Sequence, residues 1–192
     1  MGDEPSAAVR IETPRLVLRE LRVEDWPEAQ VLDRDPLVVR YQLNDVLDEE
    51  GTKKYLASSV LAASQSPRQV YDFALCLKGD DRLLGRVGLR VERPEHREAM
   101  VWFNLRRDHW RRGLASEALR GLIDFGFSQL GLHRLYGDCD PRNVGSSGVM
   151  EKVGMRREAH LRENWWVKGE WCDSFLYAVL EQDWPALRSA QQ

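Results

Sequence analysis

Two groups of residues in this 192-residue chain could do chemistry. The first is Trp110-Arg111-Arg112-Gly113-Leu114-Ala115-Ser116. Leu114, Ala115, Ala118, Leu119, Leu122 and Ile123 recur at helical spacing, so the run marks a helix start. A helix start leaves about four amide hydrogens without an intrahelical acceptor and carries partial positive charge. Gly113 and Ala115 let a ligand approach the backbone closely, and Arg111 and Arg112 add formal charge. Together they make a seat for phosphate. No Gly-Lys-Ser/Thr ends the turn, so it is not a Walker loop. The second group is Asn143-Val-Gly-Ser146, which by itself reads as a turn residue and a helix cap. Farther on, Trp165, Trp166 and Trp171 crowd one loop and could serve as core, dimer contact or pocket wall. Cys139 reads as a small core residue, and His109 and His133 as loop or surface residues.

These residues need a scaffold, and the hydrophobic pattern supplies one. Residues 1–9 read as an acidic leader. Leu16, Leu18 and Leu21, interspersed with charge, predict a strand over 15–21. Asp25 is placed to cap a helix through Trp26, Ala29 and Leu32, and a second helix covers 48–64. Runs 69–78, 83–91 and 99–105 are extended, with hairpin-length connections that predict antiparallel pairing. Gly85 and Gly88 mark bulges or close approaches. The strand over 134–139 follows the long helix, so strand 99–105, helix and strand 134–139 form a right-handed parallel crossover. A short helix over 146–153 ends at Gly154, strands follow over 155–161 and 173–180, and Trp184-Pro185 opens a tail. One mixed α/β domain over 10–185, with a tail over 186–192, is the economical organisation.

Composition narrows the field. With 28 basic and 31 acidic residues the net charge is −3, which gives no field for nucleic acid or an anionic membrane. No apolar run nears the roughly 18 residues of a spanning helix, and the start has no secretory pattern. Cys76, Cys139 and Cys172 are odd in number and far apart, which predicts a reducing cytoplasm and no metal site.

Trp-Arg-Arg-Gly-Leu-Ala resembles the Gln/Arg-x-x-Gly-x-Gly/Ala acyl-CoA loop of the GNAT acetyltransferases, with Trp110 in the leading position. Asn143-x-x-Ser146-x-x-x-x-Glu151-Lys152-x-Gly154-Met155 resembles the Asn-x-x-Ser-x-x-x-x-Glu-Lys-x-Gly-Phe motif of the same superfamily. Thr13-x-Arg15-Leu16-x-Leu18-Arg19 is similar to the opening of its ribosomal-protein N-terminal acetyltransferase subgroup. The resemblance spans residues 11–180 and implies a GNAT fold. That is a mostly antiparallel mixed sheet of about six to seven strands and about four helices, its parallel pair splayed around acyl-CoA at a bulge.

The resemblance also implies roles. The pantetheine arm would pair with the backbone of Phe103, Asn104 and Leu105. The pyrophosphate would rest on the amides of Arg111, Arg112, Gly113, Leu114, Ala115 and Ser116, beside Trp110. Asn143 would contact the thiol end, Ser146 would donate a hydrogen bond to the departing thiolate, and Lys152 would lie near the nucleotide part. The donor would be acetyl-CoA, with no metal, and the acceptor a peptide or small-molecule amine. Deprotonating a lysine side chain at pH 7 would cost roughly 4.6 kcal/mol and an α-amine about 1.4 kcal/mol, so the α-amine is the less demanding acceptor. Relatives place a proposed base where this chain has Trp165, which cannot take a proton, so Glu163 and then Glu98 are the candidates. Asp173 is expected to hold the loop, and Trp165, Trp166 and Trp171 to line an acceptor pocket or a homodimer contact. The missing base leaves a non-catalytic acyl-CoA-binding regulatory module as the alternative, and a nucleotide-phosphate binder as a third reading.

Overall fold

The computed structural model describes residues 8–189 of the chain. The strands are β1 (Arg10–Glu12), β2 (Leu16–Glu20), β3 (Val70–Leu77), β4 (Gly85–Arg93), β5 (Glu98–Leu105), β6 (Arg134–Cys139), β7 (Arg156–Val167) and β8 (Glu170–Leu180). The helices are α1 (Trp26–Asp33), α2 (Glu49–Ala63), α3 (Leu114–Ser128), α4 (Val144–Lys152) and α5 (Trp184–Ser189). All eight strands form one sheet in the order β1-β2-β3-β4-β5-β6-β8-β7. Every neighbouring pair is antiparallel except β5 and β6.

The sheet buries both faces. On one, Leu16, Leu18, Phe73, Leu75, Val87, Leu89, Ala99 and Val101 pack with the buried stripe of α3 (Leu114, Ala118, Leu119, Leu122, Ile123) and with Met150 of α4. On the other, a smaller cluster joins Ala74 and Cys76 of β3 to Ala29 of α1 and Leu56 of α2. Beneath α1 and α2 lies a buried polar network. Arg86 pairs with Asp33 and stacks on Tyr55, 4.2 Å from the ring centroid. Tyr55 and Ser59 donate to Asp72 Oδ2 at 2.7 and 2.8 Å.

Several expectations are corrected. The sheet has eight strands and not six to seven, because residues 10–12 pair with β2. Residues 1–7 of the expected leader lie outside the described residues, while Val9 packs on the core and donates its N–H to Glu20. Asp25 stands at the N-cap of α1 as expected, but its carboxylate makes no cap hydrogen bond there and instead takes the buried guanidinium of Arg19 and the Arg22 amide. Helix α4 starts two residues earlier than expected, at Val144. The expected tail carries α5 through residue 189, because Trp184 is buried and donates its indole N–H to Asp124; residues 190–192 lie outside the described residues. Strands β7 and β8 are longer than the apolar pattern, since a two-residue turn at Lys168 and Gly169, with φ of 51° and 86°, closes a hairpin between them. Of the two possibilities expected at Gly88, close approach holds: a Cβ there would collide with the Trp102 ring and lie 2.6 Å from the Tyr71 carbonyl oxygen. No helix among the described residues is long and apolar enough to cross a membrane.

Candidate functional site

The parallel pair β5 and β6 is joined at only three positions, Glu98↔Arg134, Ala99↔Leu135 and Met100↔Tyr136. Beyond Met100 the strands part, leaving one edge of β5 open through Leu105. The register shift of β5 against β4 falls at Glu92 on β4 and not within 99–105, so the implied bulge sits on the neighbouring strand. Alternation along β5 decides which backbone groups face the opening. The Val101 carbonyl lies 3.2 Å from the Cβ position of Gly137 on β6, so Val101, Phe103 and Leu105 face that way. Asn104 does not: its carbonyl lies against Gly85 on β4, and its side-chain oxygen accepts the Arg86 amide at 3.0 Å. The Leu105 carbonyl accepts the Trp110 indole N–H at 2.7 Å, so Trp110 ties the turn to the end of β5.

The open edge runs directly into the basic turn. Arg111 and Gly113 have φ of 59° and 75°, and left-handed residues within a turn help aim successive N–H groups into one concavity. Among the described residues, the amides of 111–116 donate to no backbone carbonyl, and α3 has no side-chain cap. Cations gather at this point. The Cβ position of Gly113 lies 3.5 Å from Arg15 Nη2 and 3.9 Å from Lys152 Nζ, while Arg111 and Arg112 are exposed.

Arg15 is a residue that reading the sequence as a strand missed, and Glu117 is what holds it. The Glu117 carboxylate accepts Thr13 Oγ1 (2.6 Å), the Arg15 amide (2.7 Å) and Arg15 Nε (2.6 Å). Arg15 Nη1 also donates to the Arg112 carbonyl at 3.1 Å. Burial opposes ionisation of Glu117, but these hydrogen bonds outweigh it and hold the carboxyl below its usual range. The available signal was the Thr13-x-Arg15 opening itself.

Asn143 is the N-cap of α4, and its side-chain oxygen accepts the Ser146 amide at 3.1 Å. The capping reading is thus correct, and it leaves the Asn143 amide nitrogen available for a ligand. Asn143 and Ser146 are both half-buried. At the far end of the same helix, Lys152 reaches the Gly113 turn. Helix α4 therefore spans from the chain's Asn-x-x-Ser motif to the basic seat.

The candidate bases are dispersed. Glu98 is buried between Arg93 (3.1 Å) and Arg134 (3.0 Å) in the closed part of the parallel pair. Glu163 is exposed on an irregular stretch of β7, with φ of 48°. Its amide donates to Asp173 Oδ1 at 2.8 Å, and His160 lies 2.6 Å from Asp173 Oδ2, so Asp173 holds this loop. Neither glutamate hydrogen-bonds Asn143 or Ser146. The three tryptophans separate. Trp166 and Trp171 form a T-shaped cross-strand pair with centroids 5.3 Å apart. Trp165 instead reaches across β8 and donates its indole N–H to Asp138 Oδ2 at 3.2 Å. Burial pushes the Cys139 thiol up to about 12, which suits packing and not nucleophilic attack. Among the described residues no cluster of His, Cys, Asp or Glu is arranged to hold a metal.

A sheet opened at its one parallel pair, in front of a basic helix start, is the architecture of an acyl-transfer fold. The chain belongs to the acetyltransferase (GNAT) domain family, which matches residues 15–156. It is 31% identical over 177 residues to the uncharacterised N-acetyltransferase YnaD of Bacillus subtilis (strain 168), covering 92% of this chain and 99% of that protein. The crystal structure of a GNAT-family acetyltransferase from Bacillus anthracis superposes with a TM-score of 0.81 at 29% identity, covering 91% of this chain and 99% of that one. Mycobacterium smegmatis RimJ, solved in complex with CoA-disulfide, shares the fold at 21% identity and a TM-score of 0.79, covering 97% of this chain and 95% of that one.

Proposed function

We propose that the protein moves the acetyl group of acetyl-CoA to a primary amine by direct attack in a ternary complex. The observation that carries this reading is the open β5 edge leading into the amides of 111–116. The two features lie end to end, as a pantetheine arm and its pyrophosphate do. Phe103 and Leu105, with Val101, offer backbone groups to the arm. The amides of 111–116 and the charges of Arg15, Arg111, Arg112 and Lys152 receive the pyrophosphate. Asn143 Nδ2 and the Ser146 hydroxyl serve the thioester end, where Ser146 donates to sulfur as negative charge develops. The amine nitrogen forms a bond to the carbonyl carbon, the carbon–sulfur bond breaks, and CoA leaves as the thiol.

The test is a screen of amine acceptors with acetyl-CoA, reading thiol release and acetylated product by mass. The panel holds peptides with free amino termini, polyamines, amino acids and aminoglycosides. Turnover with an amine supports the proposal. Tight CoA binding without turnover on any acceptor would instead establish a regulatory acyl-CoA-binding module. Thermal stabilisation by ATP and not by acetyl-CoA would sink both.

A further inference from the structure

We infer that Asp138 is the general base that takes the proton from the attacking amine, and that Trp165 positions its carboxylate. The assignment rests on the acetyl-transfer reading above. Strands β5 and β6 part after Met100↔Tyr136, so Val101 and Gly137 stand at the vertex of the opening. Asp138 is the next residue on β6. Strand alternation divides the side chains there. Leu135 and Cys139 enter the core shared with α3 and α4, and Gly137 abuts Val101 and Met150. Tyr136 and Asp138 point to the other face. Because the α3 and α4 side is packed, an acceptor reaches a thioester at the vertex from the Asp138 side.

Asp138 is exposed, so an amine can reach its carboxylate. Desolvation by the protein packed against the carboxylate raises its pKa, and the Trp165 indole opposes the rise. A carboxylate whose pKa is raised is a stronger base. The groups around it leave it unrivalled. Glu92 on β4 accepts the Tyr136 hydroxyl at 2.5 Å, and that hydroxyl, pushed up to about 12 by burial and by Glu92, stays protonated. Opposite on β8 stands Leu176. On β7 the neighbour is the Trp165 indole, and in the following turn Asp140 and Arg142 pair with each other at 2.6 Å. The indole occupies the position at which the chain lacks a base, and what it does there is orient one.

The step balances. As the carbon–nitrogen bond forms, one N–H proton passes to the Asp138 carboxylate, and the carbon–sulfur electron pair leaves on sulfur. The thiolate takes a proton from solvent, and Asp138 returns its own.

The test uses Asp138→Asn, Asp138→Glu and Trp165→Phe in the full chain, with acetyl-CoA and the best acceptor from the amine screen. Asp138→Asn should lower kcat/KM by roughly 10²–10⁴-fold while leaving CoA affinity unchanged, and should erase the acid limb of the pH–rate profile. Asp138→Glu should recover part of the rate. Trp165→Phe removes a hydrogen bond to the ionised form, so the acid limb should move to higher pH. A wild-type enzyme that acetylates amines while Asp138→Asn keeps its rate and acid limb overturns this assignment alone. A wild type that acetylates no amine overturns the proposed activity and this assignment together.

Discussion

Gly113 is where the site can be perturbed most cleanly. Its φ is 75°, while a Cβ built there meets only Arg15 Nη2 at 3.5 Å and Lys152 Nζ at 3.9 Å, both ordinary van der Waals distances. Alanine therefore fits in space, and its penalty is conformational. A left-handed residue with a Cβ costs about 1–2 kcal/mol, which is a factor of roughly 5–30 in an equilibrium constant. Where that cost falls depends on the turn. If the turn keeps its shape, Gly113→Ala lowers global stability by that amount. If it relaxes, the amides of 111–116 lose their common direction and CoA binds roughly 5–30-fold more weakly. Asparagine tolerates the left-handed region better than other side chains, so Gly113→Asn should recover much of the loss. Calorimetric titration with CoA, paired with urea unfolding of the apo protein, separates the two costs. Wild-type affinity and wild-type stability in Gly113→Ala would refute the argument, because the strain would then have gone nowhere.

Three further outcomes follow from the same geometry. Ser146→Ala should lower kcat by on the order of 10²-fold without weakening CoA binding; a loss confined to binding would reassign the residue. The folded pKa of Glu117 lies below its unfolded value, so its stabilisation is present above the unfolded carboxylate range and is lost as pH falls through the folded pKa. Glu117→Gln should then be less stable at pH 7 and show a flatter decline in urea midpoint on acidification. Arg86→Leu strands the buried carboxylate of Asp33 and should cost about 3–5 kcal/mol of unfolding free energy; an unchanged midpoint would mean that it is neutralised another way.

Much of the fold is local and was legible in the sequence. The α3 stripe from Leu114 to Ile123 faces the core as its spacing requires. Helix α2 lies within the expected 48–64 run and Gly154 ends the α4 turn because each is a choice made within a few residues of chain. The Trp110–Ser116 turn and the Asn143-x-x-Ser146 motif named the family for the same reason: both are contiguous. Strand β1 and helix α5 were missed because nothing in three or six residues compels them. Pairing with β2 and burial of Trp184 do.

What the tertiary structure decided is which distant residues share a site. Arg15 joins the basic turn through Glu117, more than a hundred residues away in sequence. Asn104, one of three adjacent candidates on β5, is turned to β4 by strand parity. Glu98 and Glu163 are carboxylates in promising sequence positions, yet one is held between two arginines and the other lies on an outer loop. Asp138 and Trp165 are 27 positions apart and belong to strands that are not neighbours in the sheet. Sequence spacing records the period of a helix or strand. It does not record which side chains converge once the sheet is assembled, because that depends on strand order and register set by the whole core.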